Sequence, residues 1–296
     1  MIELCLFYNG LDSARLAQDA GVDYLVVDCE FHGKQRRQEG FDTEINEQTP
    51  ADVAVARAVA PEIPILCRIN SLTENSARSL DEARAAVNNG ANEILLPMVR
   101  SLQEVERSLT VVGSQAQIGL MLETEWALEH ARELDQFPLS RVFVGLSDLM
   151  VERRSRNLFE NVWNGTVAQV RGRILSARFG FGGLTIPEGG APIPCLLLMS
   201  ELARMRCDFT FLRRSFYRDL AAGPDTPSSA VIAIRTAWER MLNRSLTEQE
   251  RDRKQLWSLF ETRLGLISAG IRWSGDQFQL NAPPESLDPT LAYRSG

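Results

Sequence analysis

Three charged residues stand at the ends of apolar segments in this 296-residue sequence. Glu123 ends the segment IGLMLE, Asp148 ends VFVGLSD, and Arg68 ends PILCR. Two carboxylates suit a hard divalent cation such as Mg²⁺ or Mn²⁺, which keeps several waters and takes further ligands from substrate oxygens. An arginine can clamp a carboxylate or an enolate oxygen through paired donors. The three residues therefore predict a divalent-metal site with an anion clamp.

Each of these residues also has an ordinary structural explanation. Acids that follow strands often cap helices, and Glu123 and Asp148 lie one strand–helix unit apart. An arginine at the end of a buried strand needs a partner, because burying an isolated charge is costly. Asp28 or Glu30 can supply that partner, so the residues alone leave a substrate clamp and a structural salt bridge equally open for Arg68.

The elements that must position these residues alternate between short apolar segments and helical ones. Continuous apolar runs are typical of parallel strands buried on both faces. Eight strand–helix units predict an α/β fold, a (β/α)₈ TIM barrel, whose active site lies at the carboxyl ends of the strands. No GxGxxG follows the first strand, which disfavours the main rival, an open dinucleotide-binding sheet. The predicted strands are Ile2–Tyr8, Tyr24–Cys29, Ile65–Ile69, Glu93–Pro97, Gln117–Leu122, Arg141–Val144, Gly180–Leu184 and Phe209–Leu212.

Helix starts are predicted at three hydroxyl residues that precede an acidic residue by three positions. Thr49, Ser79 and Ser101 each fit this N-terminal capping pattern. After the barrel, residues 223–270 are predicted to form extra C-terminal helices that pack on the barrel or on a neighbouring subunit. The barrel thus takes residues 1–222, and residues 271–296 are predicted to form a tail.

Bulk properties exclude several classes of protein. A net charge of −7 argues against nucleic-acid binding, which needs a basic face. No apolar segment is long enough to span a bilayer, and the N-terminus lacks the pattern of a signal peptide. The five cysteines include no CxxC pair and are typical of small buried residues in a reducing compartment. These features predict a cytoplasmic protein with no membrane partner.

Five segments occur together in a characteristic order. They are GVDYLVVDCE, CRIN, GANEILLPMVRSLQEVE, LMLETEWAL and VFVGLSDLM. Through them the sequence resembles a divergent branch of the HpcH/HpaI aldolase and citrate lyase β-subunit family, over residues 21–148 and more loosely to residue 216. The resemblance implies a metal-dependent barrel that acts on pyruvate-like or acyl-CoA substrates, commonly as a homo-oligomer whose last helix packs on a neighbour.

The resemblance also implies roles for individual residues. It makes Glu123 and Asp148 the metal ligands, and it makes Arg68 the residue that binds the keto or enolate oxygen. The implied substrate pocket is lined by Pro97, Met98, Gly145, Leu146 and Ser147.

The acid–base residue is where the sequence departs from this family. Its pyruvate aldolases usually carry a histidine directly after the acid equivalent to Glu30, but here Phe31 occupies that position and His32 follows. Glu30, His32 and Lys34 are therefore all candidates for catalysis. Lys34 and the arginines after it can hold a second charge of an acidic substrate, or they can belong to an ordinary solvated loop.

The predicted reaction is aldol cleavage or synthesis. The metal and Arg68 stabilise a pyruvate enolate, which is released from a 4-hydroxy-2-oxo acid or attacks an aldehyde acceptor, with a sugar aldehyde among the possible partners. One alternative is a citrate-lyase-like enzyme that acts on an acyl-CoA. Another is a barrel without catalysis that serves as a binding or assembly subunit.

Overall fold

Nine parallel strands form one sheet in a computed structural model of the protein. The structure describes residues 1–31, 48–155, 157–191, 193–213, 215–223, 225–268, 271–274 and 277–280. The strands are β1 (Glu3–Phe7), β2 (Tyr24–Asp28), β3 (Ile65–Arg68), β4 (Glu93–Leu96), β5 (Gln117–Leu122), β6 (Arg141–Val144), β7 (Arg178–Phe181), β8 (Gly183–Leu184) and β9 (Phe209–Leu212).

The sheet closes into the predicted (β/α)₈ barrel through a break in its seventh strand. The strand order is β7-β6-β5-β4-β3-β2-β1-β9-β8, so the two ends of the sheet are consecutive in the chain. Only Gly182 separates them, and its φ of 65° lies in the left-handed region that glycine adopts without strain. The predicted strand Gly180–Leu184 is therefore wrong in detail, because β7 pairs with β6 and β8 pairs with β9.

Alternate residues of the strands point into the barrel. The buried cluster inside it consists of Cys5, Val26, Leu66, Leu95, Met121, Phe143, Phe209 and Phe211. Because side chains alternate with a period of two, the next inward positions towards the carboxyl ends are Asp28, Arg68 and Glu123. The sequence pattern that builds the core thus delivers these three charges to one end of the barrel.

Helices surround the sheet, and their bounds follow the chain. They are α1 (Leu11–Ala20), α2 (Pro50–Val59), α3 (Leu72–Asn88), α4 (Leu102–Val112), α5 (Glu125–Glu129), α6 (Ala131–Leu134), α7 (Leu146–Glu152), α8 (Glu160–Trp163), α9 (Thr166–Arg171), α10 (Cys195–Arg204), α11 (Ser215–Ala222), α12 (Pro227–Leu242) and α13 (Leu246–Ser268).

Two of the three predicted helix starts are confirmed. Thr49 and Asp52 form a capping box at α2, and the Ser101 hydroxyl accepts a hydrogen bond from the Glu104 N–H at 3.3 Å. The start at Ser79 is wrong, since α3 already begins at residue 72 behind a Ser71 cap. The Ser79 hydroxyl instead donates to the Ser71 carbonyl at 2.9 Å inside the helix.

The C-terminal helices pack on the protein's own barrel. Helix α12 lies against α1 and α10, and α13 lies against α10. Arg235 of α12 pairs with Asp23 at 2.9 Å, and Ser200 of α10 donates to Asp252 of α13 at 2.9 Å. Within the predicted tail, β10 (Ile271–Ser274) pairs antiparallel with β11 (Gln277–Leu280), and residues 281–296 lie outside the described ranges.

Two further observations concern the chain as a whole. All five cysteines are buried and carry free thiols. Among the described residues, no helix combines the length and the apolar character that crossing a membrane requires.

Candidate active site

Glu123 follows β5 and is a fully buried acid at the carboxyl end of the barrel. Its side chain is fully buried at 0% exposure, and its Oε1 accepts a hydrogen bond from the Met98 N–H at 2.9 Å. Met98 adopts a φ of 54°, which is uncommon for a residue with a side chain. The other oxygen, Oε2, has no hydrogen-bond partner among the described residues. A buried carboxylate oxygen without a donor is costly unless a ligand completes it.

Gly145 leaves the space that Glu123 occupies. A Cβ at this position would lie 2.3 Å from Glu123 Oε2, so the carboxylate rests directly on the backbone between β6 and α7. Asp148 lies in the first turn of α7 and is 6% exposed. Burial, and then the charges of Asp148 and Glu30, raise the pKa of Glu123 well above its usual range. Three carboxylates therefore share one electrostatic site.

Arg68 ends β3 in a two-point ion pair with Asp28, its neighbour in the β2–β3 register. Its Nε donates to Asp28 Oδ1 at 2.7 Å, and its Nη2 donates to Asp28 Oδ2 at 2.6 Å. Burial alone lowers the pKa of Arg68, but the charges of Asp28 and Glu30 outweigh it and raise that pKa well above its usual value. The structural salt bridge weighed from the sequence is therefore present, and it fixes the plane of the guanidinium group.

The third nitrogen of the Arg68 guanidinium faces the other acids. Nη1 lies 3.5 Å from Glu30 Oε2 and 3.4 Å from Met121 Sδ. Glu30 is fully buried after β2. Asn70 ties the two strand ends together, because its Nδ2 donates to the Cys29 carbonyl at 2.9 Å and its Oδ1 accepts from the Phe31 N–H at 3.0 Å.

A polar frame holds the helix that carries Asp148. At the far end of α7, Glu152 accepts two hydrogen bonds from Arg100, at 3.0 and 2.7 Å. The backbone N–H of Glu125 also approaches Glu152, at 3.4 Å. Arg153 pairs in turn with Glu125. These contacts connect α7 to the loops after β4 and β5, so the position of Asp148 is set by three neighbouring strand–helix units.

The structure brings four of the predicted residues into one cluster at the carboxyl end of the barrel: Arg68, Glu30, Glu123 and Asp148. Of the predicted pocket, Pro97, Met98, Gly145 and Leu146 are buried, and Ser147 is exposed. Met98 meets Glu123 through its backbone N–H. His32 and Lys34 lie outside the described residues.

Sequence reasoning gave no role to Asn70 and weighed Asp28 only as a rival explanation. Asp28 had a usable signal, since it ends β2 as Arg68 ends β3 and the two are paired in register. Asn70 follows Arg68 by two residues, at the next inward position, and that spacing was the only clue available.

The donor set can be compared with what a cation requires. Among the described residues there is no group of three or more His, Cys, Asp or Glu side chains that could hold a metal ion. A cation here would therefore have two protein carboxylates and would draw its other ligands from water or substrate, as magnesium sites commonly do. The unpartnered Glu123 Oε2 fits such an ion.

Solved structures with the same barrel include proteins of the family that the sequence resembles. An HpcH/HpaI aldolase/citrate lyase family protein from Burkholderia cenocepacia J2315 aligns over 75% of this chain and 91% of its own, with 13% identity and a TM-score of 0.56. The HpcH/HpaI aldolase from Desulfitobacterium hafniense DCB-2 aligns over 75% and 90%, with 15% identity and a TM-score of 0.53.

A third structure shows how widely the barrel is shared. The 3-hexulose-6-phosphate synthase from Salmonella typhimurium aligns over 81% of this chain and all 100% of its own, with 13% identity and a TM-score of 0.53. Comparison with protein-family models finds no match to this sequence, and comparison with curated proteins finds none either. The predicted resemblance is thus confirmed for the fold, at the low identity expected of a divergent branch.

Proposed function

We propose that the protein is a divalent-metal-dependent carbon–carbon lyase of the aldolase type that acts on a 2-oxo acid. The observation that carries the proposal is the buried, unpartnered Oε2 of Glu123, which lies within the electrostatic reach of Asp148 and Arg68. Glu123 and Asp148 are the proposed ligands of Mg²⁺ or Mn²⁺. Such an ion, when bound, supplies a Lewis acid that stabilises negative charge on a substrate oxygen.

Arg68 is proposed to bind the keto oxygen as it gains negative charge. Asp28 occupies two of its nitrogens, so the guanidinium cannot rotate and its Nη1 stays directed towards the site. A donor that is already oriented stabilises developing charge without a reorganisation cost at the moment of reaction. Asp28 is thus a positioning residue in this proposal.

Glu30 is the described residue best placed to move a proton. It is buried and lies 3.5 Å from Arg68 Nη1, beside the place where the oxygen would be held. A carboxylate within hydrogen-bond reach of the substrate's methyl or hydroxyl group can serve as general base and then as general acid. His32 and Lys34 stay candidates for the same step or for binding a second substrate charge.

The pocket around these groups is proposed to bind the 2-oxo acid. Pro97, Met98, Gly145 and Leu146 are buried beside the acids, and the exposed Ser147 would lie at the rim. The second substrate is proposed to be an aldehyde. Assembly as a homo-oligomer and a cytoplasmic location rest on the resemblance and on the sequence, and they stay predictions.

The test is metal-dependent exchange of the pyruvate methyl protons in D₂O, followed by NMR. We expect exchange with Mg²⁺ or Mn²⁺ in the wild-type protein, and a fall of at least about a hundredfold in Glu123→Gln and Asp148→Asn, since one lost electrostatic contact of this kind costs about 10²–10³ in rate. Glu129→Gln is the matched control, because this acid is exposed on α5.

Two outcomes would contradict the proposal. Full exchange in both ligand variants would show that these acids hold no essential metal. Absence of exchange in the wild-type protein with either metal would remove the pyruvate assignment, and an acyl-CoA substrate would then be the next to test.

A further inference from the structure

A second polar cluster lies where the barrel closes, on the same carboxyl-end face as Glu123. We call it the Arg213 corner, and it consists of Gly189, Gly190, Arg213 and Ser215. The glycines belong to the loop after β8, Arg213 directly follows β9, and Ser215 begins α11. None of these residues takes part in the proposed metal site.

Arg213 is held by two backbone carbonyls and forms no ion pair with an acid among the described residues. Its Nε donates to the Gly183 carbonyl at 2.7 Å, and its Nη1 donates to the Ile193 carbonyl at 3.2 Å. Its Nη2 is shielded from solvent and has no hydrogen-bond partner in the part of the chain that the structure describes. Burial lowers the pKa of Arg213, and the charge of Asp219 opposes that effect only in part. A buried donor that lacks an acceptor is costly unless a ligand supplies one.

Ser215 provides a second unsatisfied group two residues further along. Its Oγ is shielded from solvent and forms no hydrogen bond with any described residue. It lies in the first turn of α11, an eight-residue helix. Backbone N–H groups at a helix start lack intrahelical partners and carry partial positive charge, so they favour an anion.

The backbone of the loop after β8 packs closely against the guanidinium of Arg213. A Cβ on Gly190 would lie 3.1 Å from Arg213 Nη1 and 2.7 Å from the Cys195 nitrogen, so only glycine fits here. The nearest acid, Asp219, borders the corner, since a Cβ on Gly189 would lie 3.1 Å from its Oδ2. This Oδ2 accepts a hydrogen bond from the Thr185 hydroxyl at 2.6 Å, and Oδ1 pairs with Arg218 at 3.5 Å. The corner thus offers donors to an anion, and the carboxylate of Asp219 is already hydrogen-bonded to Thr185.

We propose that Arg213 and Ser215 bind a phosphate group at the start of α11. In (β/α)₈ barrels, phosphate sites are frequently built from the loops after the seventh and eighth strands together with a helix N-terminus. Arginine suits phosphate because its donors match two oxygens at once. In terms of the proposed function, on which this part rests, the aldehyde acceptor is a phosphate monoester whose distal end lies at the corner.

The first test needs neither metal nor turnover. We expect inorganic phosphate to raise the melting temperature of the wild-type protein, as any ligand of the folded state does. In Ser215→Ala the affinity for phosphate should fall about tenfold, the size of one hydrogen bond to a charged group. Arg213→Gln should abolish the shift, and Arg240→Gln, which changes an exposed arginine of α12, should keep it.

Ser215→Ala keeps the test decisive if Arg213→Gln does not fold, because the serine hydroxyl it removes bonds to nothing described. Equal protection of Ser215→Ala and the wild-type protein would overturn the proposal, and so would the absence of any shift. Acetate at the same ionic strength should raise the melting temperature less than phosphate does. An equal rise with acetate would overturn the phosphate assignment and indicate a site for a carboxylate.

The substrate assignment has its own readout. With pyruvate and metal, we expect the wild-type protein to consume glyceraldehyde 3-phosphate faster than glyceraldehyde, and Ser215→Ala to lose that preference while its pyruvate exchange is unchanged. Equal consumption of the two aldehydes, or none, would overturn the acceptor assignment. Absence of pyruvate exchange in the wild-type protein would contradict the proposed function. The melting-temperature shift with phosphate would still test the phosphate site independently.

Discussion

At the scale of the residue, the site depends on how charges are paired inside the barrel. Asp28 and Arg68 neutralise each other through two short hydrogen bonds, whereas Glu123 keeps one oxygen unpartnered. Within the same buried environment, Asp28 therefore has a structural role and Glu123 is available to bind a ligand. This difference cannot be seen in the residue types, because both are acids that end or follow buried strands.

A double-mutant cycle separates the two roles of Arg68. Breaking a buried ion pair from one side leaves an uncompensated charge, so Asp28→Asn and Arg68→Met should each lower the free energy of unfolding by about 3–5 kcal/mol. In the double variant the losses should be clearly less than additive, with a coupling of about 0.5–3 kcal/mol. Urea denaturation measures all three values.

Catalytic activity should not recover in the double variant, although its stability does. If Arg68 binds substrate, the double variant regains stability but stays inactive in the pyruvate exchange assay. Exchange restored along with stability would show that Arg68 serves only to neutralise Asp28. Strictly additive losses of stability would show instead that the pair does not behave as one unit.

At the scale of the element, the junction between β6 and α7 sets the geometry of the site. Gly145 joins the two elements without a side chain, and α7 then presents Asp148 in its first turn. The Arg100–Glu152 pair holds the other end of that short helix. The position and orientation of Asp148 are thus set by the whole of α7 as well as by the contacts of Asp148 itself.

Gly145→Ala tests this junction directly. The backbone angles of Gly145, φ −83° and ψ 96°, are open to alanine, so the effect is steric. The added Cβ would lie 2.3 Å from Glu123 Oε2 and must displace it. We expect the affinity for Mg²⁺ or Mn²⁺ to fall about 10–100-fold, as for other changes that misplace a ligand, measured by calorimetric titration.

Gly172→Ala is the control for Gly145→Ala. It ends α9, and a Cβ there would meet nothing nearer than 3.4 Å. Its metal affinity should equal that of the wild-type protein. An unchanged affinity in Gly145→Ala as well would mean that Glu123 does not contact the ion.

At the scale of the whole molecule, an apolar layer separates two charged ends of the barrel interior. At the end opposite the candidate site, Arg141 and Glu93 form a fully buried pair at 2.7 Å, and the guanidinium lies 4.1 Å from the centre of the Tyr24 ring. In these barrels the amino-end face serves stability and the carboxyl-end face serves function. The two charged clusters are therefore assigned different roles.

Metal binding should stabilise the molecule as a whole. At a free-ion concentration about 100 times the dissociation constant, a ligand that binds only the folded state adds about 2.7 kcal/mol. We expect Mg²⁺ or Mn²⁺ to raise the melting temperature by several degrees and EDTA to reverse the shift, as followed by calorimetry. Asp148→Asn should show little of this shift, and a full shift in that variant would place the ion elsewhere.

The barrel and the main site residues could be predicted from the sequence for a simple reason. Buried parallel strands are continuous apolar runs, and charges that end such runs must gather at one edge. The break at Gly182 could not be predicted, because it depends on how the last strands meet to close the sheet. Ser79 was misplaced because a capping pattern inside a longer helix looks the same as one at its start.

Only those site residues could be predicted that follow from the positions of the strands in the sequence. Arg68 and Glu123 follow from strand ends, whereas Asp148 lies in the first turn of the helix after β6. The choice of Asp28 as the partner of Arg68 depends on strand register. The Arg213 corner was not predicted at all. Its residues come from the loop after β8 and from the segment that leads from β9 into α11, and only the closed barrel brings these two segments together.

The five buried thiols give the folded protein a set of internal reporters. Burial raises the pKa of Cys5 to about 12, and it raises that of Cys207 still further, so neither forms the reactive thiolate at neutral pH. Cys5 lies on β1, Cys67 on β3 and Cys195 at the start of α10. An alkylating reagent can reach each of them only when its own part of the barrel opens. The order in which the cysteines become labelled would therefore record the order in which this barrel comes apart.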